Sequence, residues 1–499
     1  MTMSQSSSLA AALALFVRFG LAVNNGLART PQMGWDNWNS FGCDVSEELL
    51  QASAKLIVEY GLKDLGYEYV ILDDCWSNGR DGNGTLVPDF DKFPSGMAAV
   101  ADDIHDLGLK FGMYSSAGVY TCGQYAGSLG YEDIDAQTWA SWGVDYLKYD
   151  NCYNSGQAGT QQISHDRYNV MAKALNATGR PILYSLCNWG EDYPWNWGST
   201  IANSWRISGD VTDYYDKPDD RCPCDGPDAW DCGLPGFHCS LLNIINKASF
   251  IVSKGIQGAW NDLDMLEVGN GGMTDPEYLT QFSVWSAVKS PLILGNDLRI
   301  VKAADLAIIS NAAIIAVNQD PLGSSASRRW HYETDDIDEY GKGSYQLWSG
   351  ALVSTTGGDY YDVLAVFVNG NDSPLAMNAT LLDLFADLGS SGAAAYAALS
   401  WEVNDLWGAR MSDAEAQAII DAASGNYTGA AYNGTTADRY NATAKSYAQG
   451  LADADPLLLG TKVTTVAPSG TVLADVDRHG VAVFRLRAVP TEAARKREL

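Results

Sequence analysis

The chain has 499 residues, 46% of them hydrophobic, a formal net charge of −29 at pH 7 and an isoelectric point near 4.3. This length is enough for two domains, or for one large barrel with an appended domain. The negative charge disfavours nucleic acid and anionic membranes as partners, because both would be repelled. Such acidity suits a soluble protein that works in acidic surroundings, where protonation relieves part of the repulsion between carboxylates.

The N-terminus carries an apolar run at 9–17 that is interrupted by Arg18 and resumes at 19–23. The run is too short and too broken to span a membrane. It resembles the apolar region of a secretory signal, although no Lys or Arg precedes it. We therefore predict a signal peptide over residues 1–26, with an approximate cleavage site, and an extracellular protein. No later segment of the sequence is long and apolar enough to cross a bilayer.

Seven Asn-x-Ser/Thr sequons follow this signal-like start. We set Asn371 aside because Pro374 follows its Ser. So many sequons after a signal-like segment indicate secretion from a eukaryotic cell. The predicted glycosylation sites are Asn83, Asn176, Asn378, Asn426, Asn433 and Asn441.

The nine cysteines all lie between Cys43 and Cys239, and an oxidising compartment favours disulfides. We pair Cys43 with Cys75 and Cys122 with Cys152, because each pair joins the ends of adjacent predicted strands. Sequence alone permits other connectivities.

Four further cysteines cluster in a loop rich in Pro, Gly and Asp. We predict two nested bridges there, Cys222 with Cys239 and Cys224 with Cys232. The Cys222-Pro-Cys224 group could instead bind zinc, but the loop composition and predicted secretion favour disulfides. Cys187 is left unpaired.

From residue 32 to about 296, strand-like runs that end in polar or aromatic residues alternate with helix-like stretches. Most intervals are near 36 residues, which is the length of one βα unit, and eight units predict a (β/α)₈ TIM barrel over 27–320. The alternative is a doubly wound open sheet. The strand runs are MGWDNW (33–38), YVILDDCW (69–76), FGMYSS (111–116), YLKYDNC (146–152), ILYSLCNW (182–189), SWRISGD (204–210), GAWNDLDM (258–265) and LILGND (292–297).

Two of the predicted helices have clear boundaries. Glu47 and Glu48 suit a helix N-terminus, an apolar face follows, and Gly61 ends the segment. The apolar pattern repeats over 97–107 and ends at Gly108.

The motif NQDPLG at 318–323 predicts a domain boundary. Beyond it, short strand candidates at 344–348, 362–368 and 481–486 lack regularly interleaved helices, which predicts a C-terminal antiparallel β-sandwich domain over 321–499. An Ala-, Gly- and Asp-rich insertion occupies about 381–459.

Active sites of (β/α)₈ barrels lie at the carboxyl ends of the strands, and here those ends are rich in carboxylates and aromatic rings. The five histidines lie away from the strand ends, which disfavours metal-dependent hydrolysis, and no Ser stands in a nucleophile elbow. A pair of carboxylates that acts without a cofactor remains. The strand-end residues are Trp38, Asp73, Asp74, Tyr114, Lys148, Asp150, Trp189, Arg206, Asp210, Asp262 and Asp264.

Asp150 is the candidate nucleophile. Lys148 lies two residues earlier on the same strand face, and we expect its ammonium to keep the carboxylate ionised. Asp210 ends the sixth strand run and is the candidate general acid/base, whose pKa must be raised. Adjacent Asp73 and Asp74 suit two neighbouring sugar hydroxyls.

The motifs MGWDNWN, LDDCW, LKYDNC, NSWRISGD and WNDLDML together resemble glycoside hydrolase family 27, in particular its secreted fungal α-galactosidases. The resemblance covers the barrel and NQDPLG and thins in the C-terminal domain. It implies a retaining double displacement with Asp150 as nucleophile and Asp210 as acid/base, with the two carboxyl groups about 5–5.5 Å apart, and no cofactor. It further implies that Asp73 and Asp74 bind the 6- and axial 4-hydroxyls of galactose, and that Lys148 binds the 3- and 4-hydroxyls. Arg206 and Asp264 are expected on the 3- and 2-hydroxyl side. By the same resemblance, the pocket is lined by Trp38, Tyr114 and a bridge that contains Cys122.

The resemblance also implies that the end of the fifth strand faces C2 of the sugar. Cys187 and Trp189 fill that space, which favours galactose over N-acetylgalactosamine. We expect a galacto-oligosaccharide of the melibiose or raffinose type, or galactomannan, as substrate. An α-N-acetylgalactosaminidase and a non-catalytic galactose-binding protein remain as alternatives.

Overall fold

The computed structural model describes residues 25–218, 238–356, 360–424 and 439–489, and its core is an eight-stranded parallel sheet. The sheet order is β7-β6-β5-β4-β3-β2-β1-β8. A parallel bridge between Leu266, just after β7, and Leu294 of β8 brings the two ends together. The predicted barrel is therefore confirmed. Its strands are β1 (Met33–Asp36), β2 (Tyr69–Leu72), β3 (Lys110–Ser116), β4 (Tyr146–Asp150), β5 (Leu183–Cys187), β6 (Ser204–Arg206), β7 (Trp260–Asp262) and β8 (Leu292–Leu294).

Both faces of the barrel strands are buried, as expected for a parallel sheet covered by helices. On β2, Tyr69 and Ile71 join a small cluster with Tyr146 of β4 and Leu183 of β5. The alternate residue Val70 packs into the large outer core beneath the helices. This alternation leaves the strand ends, rather than the filled centre, to form a site.

Helices surround the barrel after every strand except β5. The connection from β5 to β6 contains only the 3-10 turns Pro194–Asn196 and Gly198–Thr200. The prediction of eight complete βα units is wrong at this position, because the short interval leaves no room for an α-helix. The α-helices of this part are Trp38–Phe41, Glu47–Glu59, Met97–Asp106, Glu132–Ser141, Gln161–Ala177, Leu241–Ala248, Asp275–Ala287, Ala303–Ile309 and Ala312–Asn318.

The two helix boundaries read from the sequence are confirmed. Helix Glu47–Glu59 begins where the Ser46 side chain accepts a hydrogen bond from the Leu49 N–H, and it ends before Gly61 at φ +70°. Helix Met97–Asp106 likewise ends just before Gly108 at φ +69°. In both cases glycine adopts the left-handed conformation that stops a helix.

The C-terminal part is built on a six-stranded antiparallel sheet of order β9-β10-β11-β16-β13-β14, and β12 pairs with β15 beside it. The stretch predicted as an insertion supplies β13, which lies inside the six-stranded sheet. The strands are β9 (Ser327–Glu333), β10 (Ser344–Leu352), β11 (Asp362–Asn369), β12 (Leu375–Thr380), β13 (Trp401–Asp405), β14 (Thr461–Val466), β15 (Thr471–Val476) and β16 (Val481–Ala488), and the helices are Leu381–Leu384, Gly389–Ala397, Asp413–Ala423, Tyr447–Ala452 and Pro456–Leu459.

Buried charges join this sheet to the barrel at the NQDPLG motif. Asp320 of the motif accepts hydrogen bonds from the Val353 N–H at 3.1 Å. Fully buried Arg485 lies 3.6 Å from Asp320 and 3.0 Å from Asp362. The motif therefore fixes the sheet against the barrel.

Several predictions concern residues outside the described ranges. Most of the predicted signal peptide, three cysteines of the proposed nested bridges (Cys222, Cys224 and Cys232), and the sequons at Asn426 and Asn433 all lie there. Of the other sequons, Asn83, Asn176 and Asn378 are exposed and Asn441 is half-buried. Within the described part of the chain, no helix has the length and apolar character that crossing a membrane requires.

Candidate active site

One pocket at the carboxyl ends of the barrel strands collects nearly all of the predicted site residues. Of these, Asp74 and Asp262 do not line it. The lining residues are Trp38, Asn39, Asp73, Tyr114, Cys122, Lys148, Asp150, Cys187, Trp189, Arg206, Asp210, Asp264 and Met265.

Strand register places the centre of the pocket. Tyr114 of β3 pairs with Lys148 of β4, and Asp150, two residues on, pairs with Cys187 of β5. The Tyr114 hydroxyl donates to Asp150 Oδ2 at 2.8 Å, and the Asn151 N–H donates to Asp150 Oδ1 at 2.8 Å. Burial raises the pKa of Tyr114, so its hydroxyl stays protonated and acts as the donor. One carboxylate is thus oriented by two hydrogen bonds.

The expected ion pair between Lys148 and Asp150 does not form. Burial raises the pKa of Asp150 to about 7, the attraction of Lys148 lowers it only in part, and the charge of Asp210 raises it further. Contrary to the expectation from the sequence, Lys148 only partly offsets the effect of burial on the pKa of Asp150. The loss of hydration on burial raises the pKa of Asp150 more than the attraction of the Lys148 ammonium lowers it, because that ammonium pairs with another carboxylate.

The ammonium of Lys148 pairs with Asp73 Oδ2 at 2.6 Å. Burial and the neighbouring Asp73 together raise the pKa of Asp36, at the end of β1. Asp36 and Asp262 line a cavity that shares Lys148 and Arg206 with the pocket. Burial also raises the pKa of Asp262 to about 6. A second layer of carboxyl groups, whose pKa values are raised, thus adjoins the pocket residues.

A second cation holds the opposite wall. Arg206 at the end of β6 lies 2.8 Å from Asp264 and 3.0 Å from Asp210. Its guanidinium also lies 3.5 Å from the buried sulfur of Cys187. Asp264 has φ +83°, a strained conformation for a residue other than glycine, and Asp264 Oδ2 accepts from the Val211 N–H at 2.8 Å.

Asp210 lies nearer to solvent than Asp150. Strand β6 ends at Arg206, and Asp210 belongs to a separate two-residue strand, Asp210–Val211, that pairs with His238–Cys239. The regular strand is thus shorter than the predicted run 204–210, because the chain turns after Arg206. Its side chain is 41% exposed, as a group that exchanges protons with water requires.

Asp74 faces the neighbouring loop. Its carboxylate accepts from the Cys75 N–H and from the Gly123 N–H, both at 2.7 Å. Since Cys122 lines the pocket, this contact fixes a segment of the pocket wall. The structure joins Cys43 to Cys75 and Cys122 to Cys152 by disulfides, and Cys187 is free and buried.

Among the described residues, one group of potential metal ligands lies close together, and it contains Cys122, Asp150 and Cys152. Both sulfurs are already bonded to each other in the disulfide. This group is therefore part of the pocket wall beside Asp150 and not a metal site.

Sequence reasoning missed four residues. Asn39 and Met265 line the pocket, and Asp36 lines the adjoining cavity with Lys148. All three lie inside motifs that were recognised, so the signal was present. Glu267 had no such signal. It is buried, and its Oε1 accepts from the Asn39 side chain at 2.5 Å. Burial raises the pKa of Glu267 to about 8.

Carboxylates, two cations and indole rings gathered at the strand ends of a (β/α)₈ barrel define a glycoside hydrolase of the carboxylate-pair type. Residues 30–320 match the family model Melibiase_2, described as Alpha galactosidase A. The chain belongs to this family, and the resemblance to glycoside hydrolase family 27 is confirmed.

Relatives and solved structures are similar to this protein over almost the whole length of the chain. The α-galactosidase of Lachancea cidri is 54% identical over 464 residues, which are 93% of this chain and 95% of the relative. The structure of Saccharomyces cerevisiae α-galactosidase is 51% identical, covers 93% of this chain and 99% of its own, and superposes with a TM-score of 0.87. The structure of the α-galactosidase of that species with raffinose is 50% identical, with the same coverage and TM-score.

Proposed function

We propose that this chain is a retaining α-galactosidase that removes terminal, non-reducing α-D-galactose from galacto-oligosaccharides. The observation that carries the proposal is the meeting of Asp150 and Asp210 in one pocket, in a chain of this family. Asp150 is buried and oriented by hydrogen bonds, as a nucleophile must be. Asp210 is partly open to water, as an acid/base must be.

The reaction proceeds in two displacements. Asp150 attacks the anomeric carbon and forms a covalent galactosyl ester, while Asp210 gives its proton to the leaving oxygen. Asp210 then takes a proton from water, and the water attacks the same carbon. This step frees the Asp150 carboxylate and releases galactose with its α configuration kept. The Tyr114 hydroxyl bonded to Asp150 orients the attacking carboxylate. Asp150 attacks as the anion. The positive charge that develops on the sugar in the transition state stabilises this anion.

The two cations of the pocket suit the galactose hydroxyls. Lys148 and Asp73 form one donor–acceptor pair, and Arg206 and Asp264 form another on the opposite wall. Such charged pairs bind vicinal hydroxyls through hydrogen bonds that are stronger than those between neutral groups. Trp38 lines the pocket and offers a ring face to the apolar side of the sugar.

Preference for galactose over N-acetylgalactosamine rests on the end of β5. Cys187 is buried, its sulfur lies against Arg206, and Trp189 also lines the pocket. These side chains occupy the volume that a 2-acetamido group would need. The expected substrates are of the melibiose or raffinose type, or galactomannan, and raffinose is the ligand of a solved relative.

We also propose that the protein is secreted. The signal-like N-terminus, the disulfides Cys43–Cys75 and Cys122–Cys152, and the exposed sequons at Asn83, Asn176 and Asn378 support this localisation.

The test compares hydrolysis of p-nitrophenyl α-galactoside with that of the matching α-N-acetylgalactosaminide, for the wild type and Asp150→Ala. The proposal expects turnover of the galactoside only, and loss of that turnover in the variant. Preference for the acetamido sugar would make the chain an α-N-acetylgalactosaminidase with the same mechanism. Binding of galactose without turnover of either substrate would contradict catalysis.

A further inference from the structure

The segment that follows Asp210 is held by several elements. The Val211 N–H donates to Asp264 at 2.8 Å, and the Thr212 N–H donates to the Cys239 carbonyl at 2.9 Å. The strand that carries Asp210 has only two residues. A strand this short cannot fix a partly exposed side chain alone, so the position of Asp210 depends on the residues after it.

Asp213, three residues after Asp210, contacts the loop after β7. Its carboxylate accepts from the Gly272 N–H, and the Tyr278 hydroxyl lies 3.1 and 3.2 Å from its two oxygens. The same hydroxyl accepts from the Gly271 N–H at 2.6 Å. These bonds join the acid/base segment to helix Asp275–Ala287 through one carboxylate.

The close approach at this contact requires glycine. A Cβ on Gly272 would lie 2.2 Å from the backbone oxygen of Asp213 and 2.7 Å from Asp213 Oδ2. No side chain fits at those distances. The loop therefore approaches Asp213 as closely as a backbone can.

The C-terminal part also contacts this segment. The Tyr215 ring stacks on His479, with centroids 4.2 Å apart and planes at 10°. His479 lies in the turn between β15 and β16, and its Nδ1 lies 2.6 Å from Glu277, the residue before Tyr278. Barrel helix and C-terminal sheet thus meet on the residues that follow Asp210.

We propose that Asp213, together with Tyr278, is a positioning residue that holds Asp210 at the distance needed to protonate the leaving oxygen. The inference rests on the proposed function, in which Asp210 is the general acid. In that step the bond from C1 to the leaving oxygen breaks, the bond from C1 to Asp150 forms, and the proton of Asp210 passes to the leaving oxygen. Displacement of Asp210 slows the reaction most when the leaving oxygen is basic and needs a proton. It slows the reaction little when that oxygen leaves as a stable anion.

The experiment compares kcat/KM on raffinose, whose leaving group is a basic sugar alkoxide, with kcat/KM on p-nitrophenyl α-galactoside, whose leaving group is a stabilised phenolate. The variants are Asp213→Ala and the milder Tyr278→Phe, which deletes one hydroxyl and keeps the ring. The control is Tyr67→Phe, which deletes another buried tyrosine hydroxyl, one that donates to the Ile309 carbonyl at 2.8 Å.

For Asp213→Ala we expect kcat/KM on raffinose to fall about tenfold to a hundredfold, and on the nitrophenyl substrate to change less than about threefold. Tyr278→Phe should show the same selectivity with a smaller loss, and Tyr67→Phe should show none. Azide, which attacks the galactosyl ester without needing a base, should raise kcat of Asp213→Ala on the nitrophenyl substrate.

Equal losses on both substrates would mean general damage to the pocket and would overturn the inference. So would unchanged kinetics in both variants. If Asp213→Ala does not fold, Tyr278→Phe decides between these outcomes. Failure of the wild type to hydrolyse either galactoside would contradict the proposed function itself, which is a separate result.

Discussion

The ammonium of Lys148 lies 2.6 Å from Asp73, which follows β2, and spans the position of the intervening strand β3. Tyr114 of β3 lies beneath it, with the ammonium 5.6 Å from the ring centroid. The pair therefore bridges three strand ends and presents a donor and an acceptor side by side. This arrangement suits adjacent sugar hydroxyls and engages Lys148 with Asp73 rather than with Asp150, so that Asp150 is available for attack.

The first prediction concerns this pair. Asp73→Asn removes the charge that faces Lys148 and weakens the hydrogen bonds of both groups to substrate, so kcat/KM for p-nitrophenyl α-galactoside should fall about a hundredfold. Exposed Asp102 on helix Met97–Asp106 provides the control, and Asp102→Asn should leave the kinetics unchanged. Wild-type kinetics in Asp73→Asn would exclude the pair from substrate binding.

The second prediction concerns the repulsion between the two central carboxyl groups. The charge of Asp210 raises the pKa of Asp150, so Asp210→Asn should lower it. Because Asp150 attacks as the anion, the acidic limb of the kcat/KM profile should move to lower pH. The substrate for this profile is p-nitrophenyl α-galactoside, which needs little acid catalysis. A limb that stays in place or moves to higher pH would contradict this electrostatic coupling.

The third prediction concerns stability against pH. Burial raises the pKa of Glu267 to about 8 in the folded protein, against an ordinary value of 4.5. Between those values the folded state holds a proton that the unfolded chain releases, so the free energy of unfolding falls as pH rises. Asp150 and Asp262 act in the same direction, with pKa values of about 7 and 6. These three groups should therefore make the free energy of unfolding higher at pH 5 than at pH 8.

Thermal unfolding measured from pH 5 to pH 8 tests this sign. The midpoint should fall across that range, and Glu267→Gln, which cannot ionise, should make the fall shallower. A midpoint that rises with pH would show that these carboxyl groups are ionised in the folded protein.

The fourth prediction separates the stabilising and functional effects of two disulfides with similar loops. Cys43 and Cys75 are 32 residues apart, and Cys122 and Cys152 are 30 apart. Replacing either pair with serine should cost about 2–4 kcal/mol of stability, because the loops constrain the unfolded chain similarly. Cys122 lines the pocket beside Asp150, so only its loss should also raise KM. Equal kinetic effects from both replacements would contradict this division.

Much of the barrel could be read from the sequence because each buried strand ends abruptly in polar residues. Those residues share one end of the sheet whatever their order in the chain, so Asp73, Lys148, Asp150, Arg206 and Asp264 could be grouped without coordinates. The missing helix after β5 was visible only as a short interval, and regular spacing elsewhere hid it.

The ion pairs of the site could not be predicted from the sequence in the same way. Sequence spacing put Lys148 beside Asp150, but the ammonium reaches past β3 to Asp73, a contact between strands that spacing along one strand does not reveal. Glu267 and Asp213 were also beyond sequence reasoning, since each contacts residues from a different loop. The strand β13 was hidden in an Ala- and Gly-rich stretch whose composition resembles a loose insertion.

The central claim is that Asp150 forms the covalent bond to galactose. A galactosyl fluoride that carries a second fluorine on the ring slows release of the ester, and the trapped protein can be digested and its peptides identified by mass. We predict one added fluorogalactosyl group, located on Asp150, with activity lost in proportion to labelling. A label on any other carboxylate, or full inactivation without a covalent label, would contradict it.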